Sequence, residues 1–397
     1  MAQAHLCPAT VGYRLPGEEC LRVKWPASRL AAMLPLNEPL LPVEADDESS
    51  PASQFKLPSR VQILSLGTAL IVGLLARPDL AMPGTTPAVE AAAAPTELSG
   101  PLGLGGLLGS VGVFLGSIYA IVAPWSVLIA FSGMLFYCLP FLLFGYNHSK
   151  DFAGFASMME GFGLPSPKVF AAGGLACLIL GPILMLTMNP VCCLIGTKMI
   201  CLFLLFSTYF GHIIPLRKAQ EGSAEYIGNF IMVLKNTGLF GISLMMAFCC
   251  GMAVFPSLAK FFAVGRYLGM VLFVLAFLMP AMNHLKDFKG FVGMMTSFGL
   301  PVPTFWAVGG LFSLFAGGLL LLTAMPVLME WGAEFIAMFL IGSTYLGHYK
   351  PMKAAAPGSS EYIMHFLNTF KNIGLFGGCL IIIGNVIPLI PSAASAL

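Results

Sequence analysis

From about residue 125 onward, apolar residues run in stretches of about 20, separated by short polar clusters. Runs of that length suit helices crossing roughly 30 Å of hydrocarbon. The short alternating segments of a closed β-barrel are missing. The runs predict spans at 125–146, 168–188, 191–212 and 225–249, then at 261–283, 304–324, 327–348 and 361–385. The two sets belong to one repeated unit. Segment 147–241 opens Asn-His-Ser-Lys-Asp-Phe and closes Lys-Asn-Thr-Gly-Leu-Phe-Gly, and 283–377 opens Asn-His-Leu-Lys-Asp-Phe and closes Lys-Asn-Ile-Gly-Leu-Phe-Gly. They align without a gap at an offset of 283 − 147 = 136 residues, with about half of the positions identical, which marks a tandem duplication. The expected fold is all-α: a polytopic membrane protein of two tandem, parallel four-helix repeats, a pseudo-dimer within one chain, preceded by one or two hydrophobic helices.

The amino-terminal third reads differently. Residues 1–60 are polar and Pro-rich, with an acidic cluster at Glu44, Asp46, Asp47 and Glu48, and read as a disordered or targeting region. Lys56 and Arg60 precede the apolar run 61–76, which is short for a span but suits the core of an internal targeting sequence, with Ala81 a cleavage point. A two-part organelle presequence has this form, although the acidic residues count against a typical transit region. A plastid or mitochondrial membrane is one expected location, and the endomembrane system is the other. After an Ala/Pro/Thr linker, 102–123 carries Gly105, Gly109, Gly112 and Gly116 at spacings that let membrane helices pack closely. Four units follow: 1–60, 61–124, repeat 1 at 125–252 and repeat 2 at 253–397.

Charge orients the spans. Lys150, Lys168, Arg217, Lys218, Lys286, Lys289, Lys350 and Lys353 follow the first and third spans of the repeats, against Lys198, Lys260 and Arg266 on the other side. The positive-inside rule puts the first set in the cytoplasm, or in the stroma or matrix of an organelle. Nine spans result if only one of 61–76 and 102–123 crosses. The 57% hydrophobic and 10% charged composition agrees with a bilayer as the main partner, and a net charge of +2 without a basic run points to no nucleic acid. The ten cysteines show no C-x-x-C and read as small buried residues. With no nucleophile motif, phosphate loop or metal signature, no catalytic or metal-binding residue is assigned.

Polar residues recur at matching places on the positive side. His148 and Asp151 end the first span, Tyr209 and His212 the third, and Glu225 opens the fourth; His284, Asp287, Tyr345, His348 and Glu361 repeat the set. Each half is expected to gather two His, one Asp and one Glu at the membrane boundary, as a proton, quinone-headgroup or metal site, or else as residues that cap helix ends. Glu-x-x-His pairs of a di-iron bundle are missing, and haem is disfavoured because these His lie at helix ends. Lys235-Asn236 and Lys371-Asn372 fall near mid-membrane, where a lysine needs a partner or a hydrated path. Lys198 aligns with Glu334, which suggests an ion pair between repeats. Phe152, Phe155, Met159 and Phe162, with Phe288, Phe291, Met295 and Phe298, predict an amphipathic helix after each first span.

The short four-span unit, with Lys-Asp-Phe-x-Gly-Phe, Gly-Leu-Pro-x-Pro, Gly-Gly-Leu and the terminal Lys-Asn-x-Gly-Leu-Phe-Gly, resembles the DoxX-like membrane family. Its ending is also similar to plant HR-like lesion-inducing proteins. The resemblance covers about residues 125–385. It implies an accessory subunit of a quinone-linked redox complex, with membrane redox subunits as partners, quinone as the ligand, and His148, Asp151, His212, Glu225 and their repeat equivalents as contacts. Two other classes stay open: a small-solute or proton carrier with a path between the repeats, and a membrane scaffold or cargo receptor.

Overall fold

The computed structural model describes residues 125–384. The targeting segment, the linker and the Gly-rich stretch expected before residue 125 lie outside the described residues, and with them the ninth span. The described chain is an all-α polytopic membrane protein with eight helices long and apolar enough to cross a bilayer.

The helices are α1 (Ser126–Lys150), α2 (Phe152–Gly161), α3 (Pro167–Leu186), α4 (Pro190–Thr208), α5 (Ile214–Lys218) and α6 (Ala224–Val254), then α7 (Ala259–Lys286), α8 (Phe288–Ser297), α9 (Pro303–Leu322), α10 (Pro326–Thr344), α11 (Lys350–Ala354) and α12 (Ser360–Ile383). Their starts follow the sequence. Proline occupies the first turn of α3, α4, α9 and α10, where its missing N–H costs no helical bond. Ser223 and Ser359 accept the backbone N–H of Tyr226 and Tyr362, each at 3.1 Å, and so cap α6 and α12. The short helices α2 and α8 sit where the aromatic spacing places them, with Phe155 and Phe291 buried against the second span of each repeat.

Around the molecule each long helix packs on the next in the order α1, α3, α4, α6, α7, α9, α10, α12 and back to α1. Within each repeat the first span leans on the second, the second on the third and the third on the fourth. The fourth span then closes mainly on the first span of the other repeat: α6 on α7, and α12 on α1. The more deeply buried α1, α6, α7 and α12 form the centre, with α6 and α12 in contact, and the hairpins α3–α4 and α9–α10 flank it.

Glycine makes the closing seams possible. A Cβ on Gly241 would lie 2.5 Å from the Gly269 carbonyl oxygen, and one on Gly377 would lie 2.6 Å from that of Gly133. These pairs correspond under the 136-residue offset, so both seams bring backbone directly against backbone. Inside the centre, the Tyr137 hydroxyl is buried and donates to the Leu239 carbonyl at 2.8 Å, and it also bonds Ser243.

The third spans depart from expectation. The sequence places the end of the third spans near His212 and His348. Instead the helix widens into one π turn, Tyr209–Ile213 and Tyr345–Tyr349, and runs on through α5 and α11. The Ile214 N–H reaches back to the Tyr209 carbonyl, and that of Lys350 to Tyr345. The wider turn accommodates the N–H that proline cannot supply. It also puts His212 and His348 inside a continuous helix rather than at its end.

Candidate functional site

The site forms where α6 and α12 meet. Lys235 is the twelfth residue of α6 (235 − 224 + 1) and Lys371 the twelfth of α12 (371 − 360 + 1), each about 17 Å along its helix. Both side chains cross to the other repeat. Lys235 Nζ donates to Asn368 Oδ1 of α12 at 2.7 Å and contacts His348 Nε2 of the second π turn at 3.3 Å. Lys371 Nζ reaches Met232 Sδ of α6 at 3.2 Å and stands within Coulombic range of His212 in the first π turn. The two lysines face each other across the contact, each Nζ reaching a side chain three residues before the opposite lysine. Asn236 and Asn372, beside the lysines, are buried.

The second layer differs between halves. His348 Nδ1 lies 3.4 Å from His365 Nδ1, so one imidazole continues the contact begun by Lys235. At the equivalent place His212 Nδ1 meets Asn229 Oδ1 at 3.3 Å, and Asn229 Nδ2 donates to the Glu225 carbonyl at 3.0 Å. Residues 225, 229, 232 and 235–236 share one face of α6, and 361, 365, 368 and 371–372 share one face of α12. On α12 that face carries Glu361, His365, Asn368 and Lys371; on α6 it carries Glu225, Asn229, Met232 and Lys235.

The boundary cluster of two His, one Asp and one Glu divides among other tasks. Asp151 Oδ1 accepts the Gly154 N–H at 3.0 Å and Asp287 Oδ1 accepts that of Gly290 at 3.0 Å, so both cap the short helices. His148 stacks on Phe155 with centroids 4.1 Å apart, and His284 on Phe291 at 4.2 Å. Among the described residues, His148 Nδ1 is buried with no hydrogen-bond partner. Glu225 and Glu361 are exposed in the first turns of α6 and α12, where negative charge suits the helix dipole. Tyr209 and Tyr345 are also exposed. Among the described residues no three His, Cys, Asp or Glu side chains come together as a metal site.

Lys198 and Glu334 are exposed, and no ion pair joins them. Lys198 instead borders an apolar groove of about 310 Å³ with Cys201, Phe248, Phe255 and Phe262. All eight described cysteines are free.

The sequence points to Lys235, Lys371, His212 and His348 but not to Met232 and Asn368, and His365, four residues after Glu361 with Asn229 in its place in repeat 1, enters only as a spacing that does not fit a di-iron pair. A signal was available. Among the positions where α6 and α12 differ, Asn229/His365 and Met232/Asn368 exchange side chains of different hydrogen-bonding capacity on the face that the lysines reach.

Fold and site together define an all-α polytopic membrane protein with ionisable side chains enclosed between its repeated halves. The chain matches no family model, no curated protein and no solved structure.

Proposed function

We propose that the chain is a membrane carrier that handles protons, together with a small solute, along a polar path between its two repeats. One observation carries this reading: the unbroken contact from Lys235 through His348 to His365, from mid-helix toward the Lys/Arg-rich side. An ammonium at Lys235 can only donate, so His348 accepts at Nε2 and carries its own proton on Nδ1. His365 then accepts at Nδ1 and holds its proton on Nε2. A proton passed from Lys235 to His348 Nε2 releases the Nδ1 proton to His365 Nδ1, and His365 sheds its Nε2 proton outward. Lys235 is left neutral and one proton has moved. Glu361, one turn further and exposed, is the next acceptor along the same face. In repeat 1 an amide replaces the second imidazole, and Asn229 cannot pass a proton on.

Reciprocal closure of each fourth span on the other repeat's first span supports reading the chain as a pseudo-dimer of two DoxX-like units. Accessibility tests the path. Asn368→Cys and Met232→Cys, in a cysteine-free background, react with a membrane-impermeant thiol reagent added from the Lys/Arg-rich side if the path opens there. If neither position reacts from either side, the path does not exist.

A second reading, an accessory subunit of a quinone-linked redox complex, draws on the stacked His148 and its unpartnered Nδ1. It also draws on an apolar groove of about 420 Å³ lined by Leu285, which follows His284 in the chain, with Phe288, Phe312 and Phe315. An imidazole donor beside aromatic rings fits a quinone headgroup. Quinone that copurifies with the wild type and is lost on changing His148 and His284 to alanine supports this reading; quinone-free protein removes it.

A further inference from the structure

The proton relay leaves Lys371 unexplained. Its side chain is only 8% exposed, and its recorded hydrogen bond goes to the Met232 thioether, a weak acceptor for a group that carries three donors. Lys235, in the matching place, has an amide oxygen and an imidazole nitrogen. The missing amide traces to one position, Met232 in repeat 1 against Asn368 in repeat 2.

Charge sharpens the contrast. Lys235 faces Lys371 across the interface, each reaching a residue one turn from the other, and His212 lies nearby. Among the described residues no carboxylate pairs with them. Glu225 and Glu361 lie about ten residues, hence ~15 Å, toward the helix starts and are exposed, and Asp151 and Asp287 are engaged as caps. An ammonium enclosed in a membrane protein without a counter-charge is costly, and a bound anion offsets the cost while supplying the missing acceptor.

We propose that a small monovalent inorganic anion, a halide or nitrate, binds at Lys371 by displacing the Met232 thioether, and is the solute that moves with the proton. This rests on the carrier reading. The anion supplies the acceptor that the thioether supplies only weakly, and its charge balances that of the proton, so the pair crosses without net charge.

The test uses the full chain, purified in gluconate buffer and titrated with sodium chloride or sodium nitrate at constant ionic strength. Chloride or nitrate is expected to raise the melting temperature of wild type and of Lys371→Arg but not of Lys371→Met. Met232→Asn is the sharper variant, because it gives Lys371 the acceptor that Asn368 gives Lys235 while leaving every charge in place. It is expected to weaken anion affinity at least tenfold, and this result is independent of whether Lys371→Met folds. In proteoliposomes, chloride release is expected to exceed that of empty vesicles tenfold and to fall to their level in Lys371→Met. Unchanged affinity in Met232→Asn overturns the anion site. Proton flux that proceeds in gluconate without anion binding also overturns it but leaves the carrier reading standing. Absence of both fluxes overturns both.

Discussion

Lysines that face each other across the α6–α12 contact should repel, and the repulsion is measurable. Each Nζ contacts a side chain three residues before the opposite lysine, one helical turn away, which keeps the two ammonium groups within roughly 10 Å. At an effective permittivity of ~20, two unit charges at that distance repel by about 1.7 kcal/mol, and by more if closer. Against this, the hydrogen bonds of Lys235 contribute about 0.6–1.7 kcal/mol each inside a membrane protein. The terms nearly cancel, so Lys235→Met should change stability by no more than about 1 kcal/mol. The double-mutant cycle of Lys235→Met and Lys371→Met removes the shared terms and should return a repulsive coupling of about 2 kcal/mol. Reversible unfolding in lipid bicelles, in gluconate buffer, is the assay, and chloride should shrink the coupling. A coupling of zero, or a loss of more than about 3 kcal/mol in the single variant as expected for a structural buried pair, refutes the arrangement of charges.

Gly241→Ala and Gly377→Ala should each destabilise by about 1–3 kcal/mol, because the new Cβ meets backbone atoms of the facing helix. Equal losses at the two seams, read by unfolding, would match their equivalence, and a harmless substitution at either would count against the closed ring. Asp151→Ala should cost about 1 kcal/mol as a lost helix cap and leave proton movement unchanged. A transport defect there would return Asp151 to the site. Val302, a β-branched residue in the left-handed region at φ 49°, should gain about 1 kcal/mol on change to Asn, which tolerates that conformation; a loss in thermal unfolding would show that the side chain holds its loop in place.

Much of this architecture is legible in the chain itself. Apolar runs must become helices in a bilayer, so the eight spans follow from length and hydropathy, and the Lys-Asn pairs announce their depth by counting residues from the helix start. Partnership is less legible. Nothing local says that α6 closes on α7 and α12 on α1, because the Gly241–Gly269 and Gly133–Gly377 contacts pair residues remote in the chain or on opposite sides of a loop. The π turns were hidden for a different reason. The apolar runs place the ends of the third spans at His212 and His348, and nothing local says that a turn widens there and the helix continues past Pro215 and Pro351. That misreading put His212 and His348 at a boundary, where a four-residue cluster with Asp151 and Glu225 seemed natural. Inside the widened turns they face the lysines instead. Asp151 and Glu225 carried the opposite lesson, since residues that open helices are first of all caps and dipole partners.

The central claim is that protons pass through the side of the interface where two imidazoles follow Lys235. The direct measurement is proton entry into proteoliposomes driven by a pH gradient in chloride buffer, followed with an enclosed pH-sensitive dye. It compares wild type with His365→Asn, which copies the arrangement of repeat 1, and with Asn229→His, which copies that of repeat 2. Flux is expected in wild type, at the level of empty vesicles in His365→Asn, and at or above wild type in Asn229→His. Equal flux in wild type and His365→Asn, or none in wild type, would contradict the account.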